Sequence, residues 1–367
     1  MADSRIERLA EVLVRYSVEV KRDEKVVIGG SLLAEPLIEE VYKEVVKQGA
    51  HPTMQVELRN LGDIFFKYAK KHQLEHLSPF TKFMVENADV IISLWADVNP
   101  KHFTNVNPEK IKKKTQAQRE ITEIYMKRVA SGDLRWTLGP HPTHGMAQEA
   151  SMSLLEYEEF VYGACLVHKK DPVKRWKKIS EKQEKIVSYL NKTKELKITG
   201  EDTELTMSCE GRKWINCDGK KNMPDGEVFT GPIENSAKGV IRFTYPAIYA
   251  SKEVEDIRLT FKKGKVVKAE AKKGEELLRE MLKVDEGAKK IGEIAIGTNF
   301  GIQRFTKNML FDEKMGGTLH LALGRSIPES GGVNISSIHW DMLKDMKKDA
   351  EIYADSELFY KNGRFLI

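Results

Sequence analysis

Lys-Val-Val-Ile-Gly-Gly, at residues 25–30, has the pattern of a short buried strand that ends in a turn. A helical pattern follows over residues 34–49 and stops at a glycine, which is a common helix C-cap. Residues 52–58 and 88–95 have the pattern of two further strands, with a helical stretch between them. Strands that alternate with helices predict an α/β fold with a mainly parallel sheet for this part of the chain.

A charged helix over residues 171–194 is predicted to connect this region to one of a different type. Beyond it, short apolar segments are separated by Gly, Asn and Pro, a pattern that predicts a β-rich α+β fold. We therefore expect an α/β domain at residues 1–192, which includes the connector helix. We expect a second, β-rich domain at residues 193–367.

Two elements of the second domain can be predicted individually. A single helical pattern covers residues 274–287. The last segment, residues 358–367, is predicted to be a hairpin because Asn362-Gly363 is a typical two-residue turn between strands.

The composition indicates a folded, soluble protein, because 41% of its 367 residues are hydrophobic. No segment approaches the ~20 apolar residues of a membrane span, and the N-terminus lacks a signal-peptide core. We therefore expect a cytoplasmic protein without a membrane partner.

The net charge of +5 is a small imbalance of 60 basic and 55 acidic residues, so nucleic acid is not an expected partner. The 31% of charged residues is typical of thermophile proteins.

Residues 318–324, Thr-Leu-His-Leu-Ala-Leu-Gly, have the pattern of a strand whose side chains alternate between two faces. The leucines share one face, and His320 shares the other with Ala322 and Gly324. Residues 291–297, Ile-Gly-Glu-Ile-Ala-Ile-Gly, repeat this pattern and place Glu293 among small residues. Carboxylates and imidazoles are costly to bury unless their charge is compensated, so both segments favour a divalent metal site.

Four more residues of metal-ligand type occur in the same half of the chain. His339 and Asp341 are two positions apart, so in a strand they point the same way with Cα atoms about 6.6 Å apart. Glu227 and Glu313 could supply further oxygen ligands. These residues follow no compact local motif, and each of them could instead be a core or cap residue whose hydrogen bonds are satisfied within the protein.

Several ordered segments of the chain are similar to the thermophilic aminopeptidase T family of metallo-aminopeptidases, and the likeness extends over nearly the whole chain. The matching segments are residues 222–232 (Asn-Met-Pro-Asp-Gly-Glu-Val-Phe-Thr-Gly-Pro), 292–297 (Gly-Glu-Ile-Ala-Ile-Gly), 310–313 (Leu-Phe-Asp-Glu), 320–325 (His-Leu-Ala-Leu-Gly-Arg) and 334–341 (Asn-Ile-Ser-Ser-Ile-His-Trp-Asp). The resemblance implies a hydrolase that removes the N-terminal residue of peptides, and a homodimer whose active sites face an enclosed cavity. It implies a dinuclear site that holds two divalent ions on Glu227, Glu293, Glu313, His320, His339 and Asp341. A mixed set of imidazoles and carboxylates suits Zn, Co or Mn and does not choose among them.

By hypothesis, the two ions activate a water molecule that attacks the scissile carbonyl. Glu293 is the expected catalytic residue, which either bridges the ions or takes the proton of that water.

The chain departs from the family at Ile327. The family pattern Gly-Arg-Ala-Tyr-Pro is Gly-Arg-Ser-Ile-Pro here, and an isoleucine cannot donate the hydrogen bond that the tyrosine is thought to give the tetrahedral intermediate. Tyr245 and Tyr249 are candidate replacement donors.

Three alternatives remain open from the sequence. The loss of the tyrosine is compatible with a diverged enzyme similar to ring-cleaving, iron-dependent dioxygenases, or with a weak peptidase or non-catalytic metal-binding dimer. Separately, His72-Gln-Leu-Glu75-His76 matches the H-x-x-E-H signature of inverted zincins, in which two imidazoles on one helix face bind zinc. Exposed histidines on a solvated helix would match the same pattern.

Overall fold

A computed structural model of the protein describes residues 3–58, 60–249 and 252–367. The chain forms two compact units. The first contains the residues up to Trp176 together with Gly219–Pro224, and the second contains Lys177–Asp218 and Asp225–Ile367. The predicted functional domains, residues 1–192 and 193–367, stay a prediction.

The first unit is built on a parallel sheet, as predicted. Its strands are β1 (Lys25–Ser31), β2 (His51–Glu57), β3 (Val90–Trp95) and β4 (Arg135–Pro140), in the order β2-β1-β3-β4. The three strands expected from the sequence are β1, β2 and β3. Strand β4 was not predicted, because its sequence Arg-Trp-Thr-Leu-Gly-Pro contains only two large apolar residues before a Gly-Pro pair, which is typical of a turn.

Helices connect these strands. The helical segments of the first unit are α1 (Ser4–Glu11), a π-helical turn (Val12–Ser17), a 3-10 turn (Leu32–Ala34), α2 (Glu35–Lys47), α3 (Leu61–Tyr68), α4 (Lys71–Leu74), α5 (Pro79–Asn87), α6 (Pro108–Ala117), α7 (Arg119–Ser131), α8 (His144–Glu149) and α9 (Leu154–Ala164). The helix predicted at residues 34–49 is α2, and Gly49 after it has a positive φ of 76°, which a glycine adopts without strain. No helix in the described part of the chain has the length and apolar character that a membrane span requires.

Helix α4 does not have the arrangement that the inverted-zincin hypothesis requires. Helix α4 ends at Leu74, and Glu75 is its C-cap, so His76 lies beyond the helix. His72 and His76 are both exposed and do not share a helical face.

The second unit is dominated by antiparallel strands, in agreement with the predicted β-rich region. They are β5 (Glu195–Gly200), β6 (Thr203–Ser208), β7 (Ile215–Cys217), β8 (Glu227–Thr230), β9 (Lys238–Arg242), β10 (Ala247–Tyr249), β11 (Lys252–Val254), β12 (Arg258–Lys262), β13 (Lys265–Glu270), β14 (Ile291–Gly297), β15 (Thr318–Gly324), β16 (His339–Asp345), β17 (Glu351–Ala354), β18 (Glu357–Lys361) and β19 (Arg364–Phe365). They form an eight-stranded sheet, β13-β12-β9-β6-β5-β17-β18-β19, a five-stranded sheet, β16-β15-β14-β8-β7, and the pair β10-β11.

The predicted connector helix is α10 (Pro172–Leu190). The second unit also contains α11 (Glu275–Met281) and α12 (Met309–Asp312), with 3-10 turns at Glu286–Lys289 and Pro328–Ser330. The helix predicted at residues 274–287 is therefore too long: it ends at Met281. Asp285 begins the separate 3-10 turn by accepting a hydrogen bond from the backbone N–H of Ala288.

Two features of the strands were predicted correctly. The terminal hairpin pairs β18 with β19, and Asn362 and Gly363 both have positive φ, as a two-residue hairpin turn requires. The leucines at 319, 321 and 323 and the isoleucines at 294 and 296 belong to the buried apolar core. Because side chains alternate along a strand, the opposite face of β14 and β15 carries Glu293 and His320.

Candidate metal centre

The strand register brings five of the six predicted residues onto one face of the five-stranded sheet. Glu293 on β14 and Asp341 on β16 are both paired with Ala322 on β15, and Glu227 on β8 is paired with Gly297 on β14. Paired residues of antiparallel strands point to the same face. We call this group the sheet cluster; it consists of Glu227, Glu293, His320, His339 and Asp341.

Glu293 lies at the centre of the sheet cluster. Its Oε1 is 3.5 Å from Nε2 of His320, and its Oε2 is 3.6 Å from Nε2 of His339. On the outer sides, the His320 Nε2 is 3.5 Å from Oε2 of Glu227, and the His339 Nε2 is 3.5 Å from Oδ1 of Asp341. The sheet cluster thus has two halves, each with one imidazole and one outer carboxylate, and Glu293 contributes one oxygen to each half.

Several polar atoms of the sheet cluster are buried and lack a hydrogen-bond partner among the described residues. They are Glu227 Oε2, Glu293 Oε2, His320 Nδ1 and Asp341 Oδ1. Such atoms cost free energy unless something binds them. Imidazole nitrogens and carboxylate oxygens are ligands for divalent metal ions, and ligand atoms of Glu227, Glu293 and His320 all lie within 4.8 Å of one another. The residues therefore fit a divalent metal ion.

His339 is oriented by a backbone carbonyl. Its Nδ1 is 2.7 Å from the carbonyl oxygen of Arg325, so this nitrogen carries the proton and donates it. The other ring nitrogen, Nε2, then faces Glu293 and Asp341. Metal-binding histidines are commonly fixed by a hydrogen bond from the other ring nitrogen, and His339 has this arrangement.

Glu313, the sixth predicted residue, lies beside the sheet cluster and not within the sheet. It follows α12, and its carboxylate contacts the ammonium group of Lys314. The Lys314 Nζ is also 3.5 Å from Oε1 of Glu227. The sequence did not indicate Lys314, because a lysine after a run of Asp and Glu is usually solvated; its side chain is only 4% exposed.

Burial and the crowding of charges shift the pKa values of the group. Burial raises the pKa of Glu313 to about 8, against the opposing effect of Lys314. Burial alone would lower the pKa of both imidazoles, but their carboxylate neighbours outweigh it. Contacts with Glu293 and Glu227 raise the pKa of His320 to about 9, and contacts with Asp341 and Glu293 raise the pKa of His339 to about 10. The metal-free group therefore holds protons that a metal ion would displace.

Two glycines of the site strands lie directly against neighbouring backbone. A Cβ at Gly297 would lie 2.1 Å from the carbonyl oxygen of Met315, and one at Gly324 would lie 2.2 Å from that of Ile338. These glycines are required by the close approach of the neighbouring backbone.

Two buried polar residues hold the segments that carry the site. The side-chain amide of Gln183 on α10 donates to the backbone carbonyls of Cys217 and Glu227, which fixes the ends of β7 and β8. The carboxylate of Asp312 accepts hydrogen bonds from the backbone N–H and hydroxyl of Thr306 and from the backbone N–H of Asn308. These bonds fix the segment that precedes Glu313.

Neither candidate replacement for the family tyrosine lies at the sheet cluster. The Tyr249 ring packs on Trp340, which belongs to the core face of β16. The Tyr245 hydroxyl is 3.4 Å from Oδ2 of Asp345, which is four residues from Asp341, or about 13 Å along a strand. Ile327 is half-buried and begins the 3-10 turn Pro328–Ser330.

Comparison with known proteins identifies the class of protein that carries this site. A family model described as thermophilic metalloprotease (M29) matches residues 2–365, so the chain belongs to this family of metal-dependent proteases. A similar protein, aminopeptidase 2 of Geobacillus stearothermophilus, is 25% identical over 381 aligned residues that cover 93% of this chain and 92% of the relative. The predicted function is confirmed at this level: the protein is a metal-dependent aminopeptidase, a hydrolase that uses divalent metal.

Solved structures confirm the fold. Wild-type AmpT from Thermus thermophilus has a TM-score of 0.83 to this chain, with 23% identity over 99% of both chains. The 2,5-dihydroxypyridine dioxygenase from Pseudomonas putida KT2440 has a TM-score of 0.57, with 14% identity over 98% of this chain and 96% of that one. The second likeness concerns the fold alone and does not favour dioxygenase chemistry, because one fold can carry unrelated functions.

Proposed function

We propose that this aminopeptidase binds two divalent ions, Zn, Co or Mn, with the sheet cluster and Glu313. One position would use Glu227, His320 and Oε1 of Glu293, and the other would use His339, Asp341 and Oε2 of Glu293. The observation that carries this proposal is the central place of Glu293, whose two oxygens face different imidazoles. Residues 193–367 would then be the catalytic domain.

Bound ions of this kind polarise a carbonyl group and lower the pKa of water near them. The chain's own residues supply the rest of the chemistry. The Glu293 carboxylate, the catalytic residue of the proposal, keeps the two halves of the site together. The backbone carbonyl of Arg325 keeps His339 in the tautomer that presents Nε2 to the site. The substrates are peptides with a free N-terminus.

The direct test is hydrolysis of a short peptide, compared with the same peptide acetylated at its N-terminus. The protein is stripped with a chelator and reloaded separately with Zn²⁺, Co²⁺ or Mn²⁺. We expect release of the first residue from the free peptide only, and only after reloading. Equal hydrolysis of the acetylated peptide, or full activity in the stripped protein, would contradict the proposal.

We propose further that the protein is a cytoplasmic homodimer. The family resemblance supports the dimer, and the sequence composition supports the location. Light scattering coupled to size-exclusion chromatography is expected to give twice the 41.9 kDa mass of the chain. A mass of one chain at micromolar concentration would refute the dimer.

Metal affinity is expected to rise steeply with pH. In the metal-free protein the pKa values of His320 and His339 are about 9 and about 10, so both imidazoles are protonated at neutral pH. Each position has one imidazole, which must lose its proton to bind metal, so the affinity of each position should increase by up to about tenfold per pH unit and level off above the pKa of its imidazole. Chelator competition at several pH values measures this, and an affinity that does not change with pH would contradict it.

Substitution of Ile327 by tyrosine is expected to increase the turnover number. A phenol at this position would restore the hydrogen-bond donor of the family pattern, and one such donor changes rates by on the order of a hundredfold. We expect Ile327→Tyr to raise kcat by about tenfold or more. Ile327→Phe is the matched control, because it adds the ring without the hydroxyl; equal rates for the two variants would remove this explanation.

A further inference from the structure

Lys314 is a buried cation within the proposed active site that the proposed chemistry does not use. It follows Glu313 directly, and its side chain is 4% exposed. A buried ammonium ion is stable only when carboxylates or other acceptors surround it. Lys314 meets this requirement through the carboxylates of Glu227 and Glu313.

The position of Lys314 is set by backbone contacts. The carbonyl oxygen of Lys314 accepts a hydrogen bond of 2.9 Å from the backbone N–H of Asn299, and its own N–H donates to the carbonyl of Phe311 at 3.1 Å. The next residue, Met315, forms a β-bridge with Asn299. Because the side chain itself is buried as well, its ammonium group stays beside the two carboxylates.

The two carboxylate oxygens of Glu227 face different groups. Oε1 faces the ammonium group at 3.5 Å, whereas Oε2 faces Nε2 of His320 at 3.5 Å. Oε2 is also one of the buried atoms without a hydrogen-bond partner in the described ranges. The lysine therefore occupies one oxygen of Glu227 and leaves the other for a metal ion.

We infer that Lys314 is a positioning residue that competes with metal for the Glu227 and Glu313 carboxylates, and thereby limits how tightly the site binds its ions. This inference rests on the proposed metal site. A fixed positive charge next to a divalent cation weakens binding by Coulomb repulsion, which is strong where water is excluded. With the ammonium group in place, Glu227 is expected to bind metal through one oxygen, and Glu313 is engaged by the lysine.

The test is the metal affinity of Lys314→Met, which removes the charge and keeps an unbranched side chain. We expect the dissociation constant for Zn²⁺ or Mn²⁺, measured by chelator competition at pH 8, to fall by about tenfold or more relative to the wild type. In the metal-free state we expect the variant to unfold several degrees lower, because Glu227 and Glu313 lose their counter-charge. Metal should then raise its unfolding temperature more than it raises that of the wild type.

The second buried lysine of this unit provides a matched control. Lys344 is 2% exposed, but its Nζ donates to the backbone carbonyls of Glu201 and Arg242 and contacts no carboxylate of the site. Lys344→Met should lower stability without a change in metal affinity. Lys314→Gln serves as a second neutral variant if Lys314→Met does not fold.

A merely structural role for Lys314 would leave metal affinity unchanged or weaken it, and either result would overturn the inference. Failure of the metal site itself would look different. In that case wild type and Glu293→Gln would bind metal equally, whatever the residue at position 314.

Discussion

Glu293→Gln is expected to reduce kcat/KM for a short peptide by at least about a thousandfold, because general-base and metal contributions are each of this order. Glutamine is nearly the same size as glutamate, so the fold should remain intact. It presents one neutral oxygen where glutamate presents two charged ones, and both oxygens of Glu293 face imidazoles of the site. Metal analysis of the purified variant should give fewer ions per chain than in the wild type.

Glu351→Gln is a suitable control for the loss of a carboxylate. Glu351 lies on β17 and contacts Tyr353 and Lys361, away from the sheet cluster. We expect wild-type activity and metal content for this variant. Turnover of Glu293→Gln within tenfold of the wild type, with metal bound, would remove Glu293 from its central role.

The second large effect is expected for His320→Ala. His320 is completely buried, and its Nε2 lies 3.5 Å from both Glu227 and Glu293. Its removal takes away the nitrogen ligand of one half of the site. We expect loss of one of the two proposed ions and a fall in activity of about a thousandfold or more, because the chemistry that this ion would supply is lost with it.

The double variant His72→Ala, His76→Ala is the control for the loss of imidazoles. Both residues are exposed in the first unit, and α4 ends between them. Metal content and activity should remain those of the wild type. If His320→Ala retained two ions per chain while the double variant lost them, the metal would have been assigned to the wrong histidines.

Local sequence patterns correctly predicted those parts of the fold in which the spacing of apolar residues matches the face that is buried. The alternation in β15 identified the leucine face as core and the His320 face as the site, because a strand repeats every two residues. The same reasoning identified Glu293. Strand β4 was missed because its alternation is short and ends in Gly139-Pro140, a pair that is typical of turns. The helix over residues 274–287 was overestimated because Asp285 caps a separate turn.

The sequence predicted the strands that carry the site more completely than the set of residues that belong to it. The six residues that the resemblance implied all lie close to one another. Their spacing along the chain did not predict which of their atoms are in contact. Lys314 was missed entirely, because its burial depends on Glu227, a residue far away in the sequence. Cys217 was not predicted either, although its side chain lies with Asp225 and Glu227 in a second group of potential metal ligands.

Anomalous scattering from a crystal soaked in Zn²⁺ or Mn²⁺ tests the central claim most directly, since it locates each ion relative to its ligands. We predict two peaks per chain on either side of the Glu293 carboxylate, one beside Glu227 and His320 and the other beside His339 and Asp341. Peaks at the group of Cys217 and Asp225 alone, or a crystal of active protein without density next to Glu293, would contradict the account.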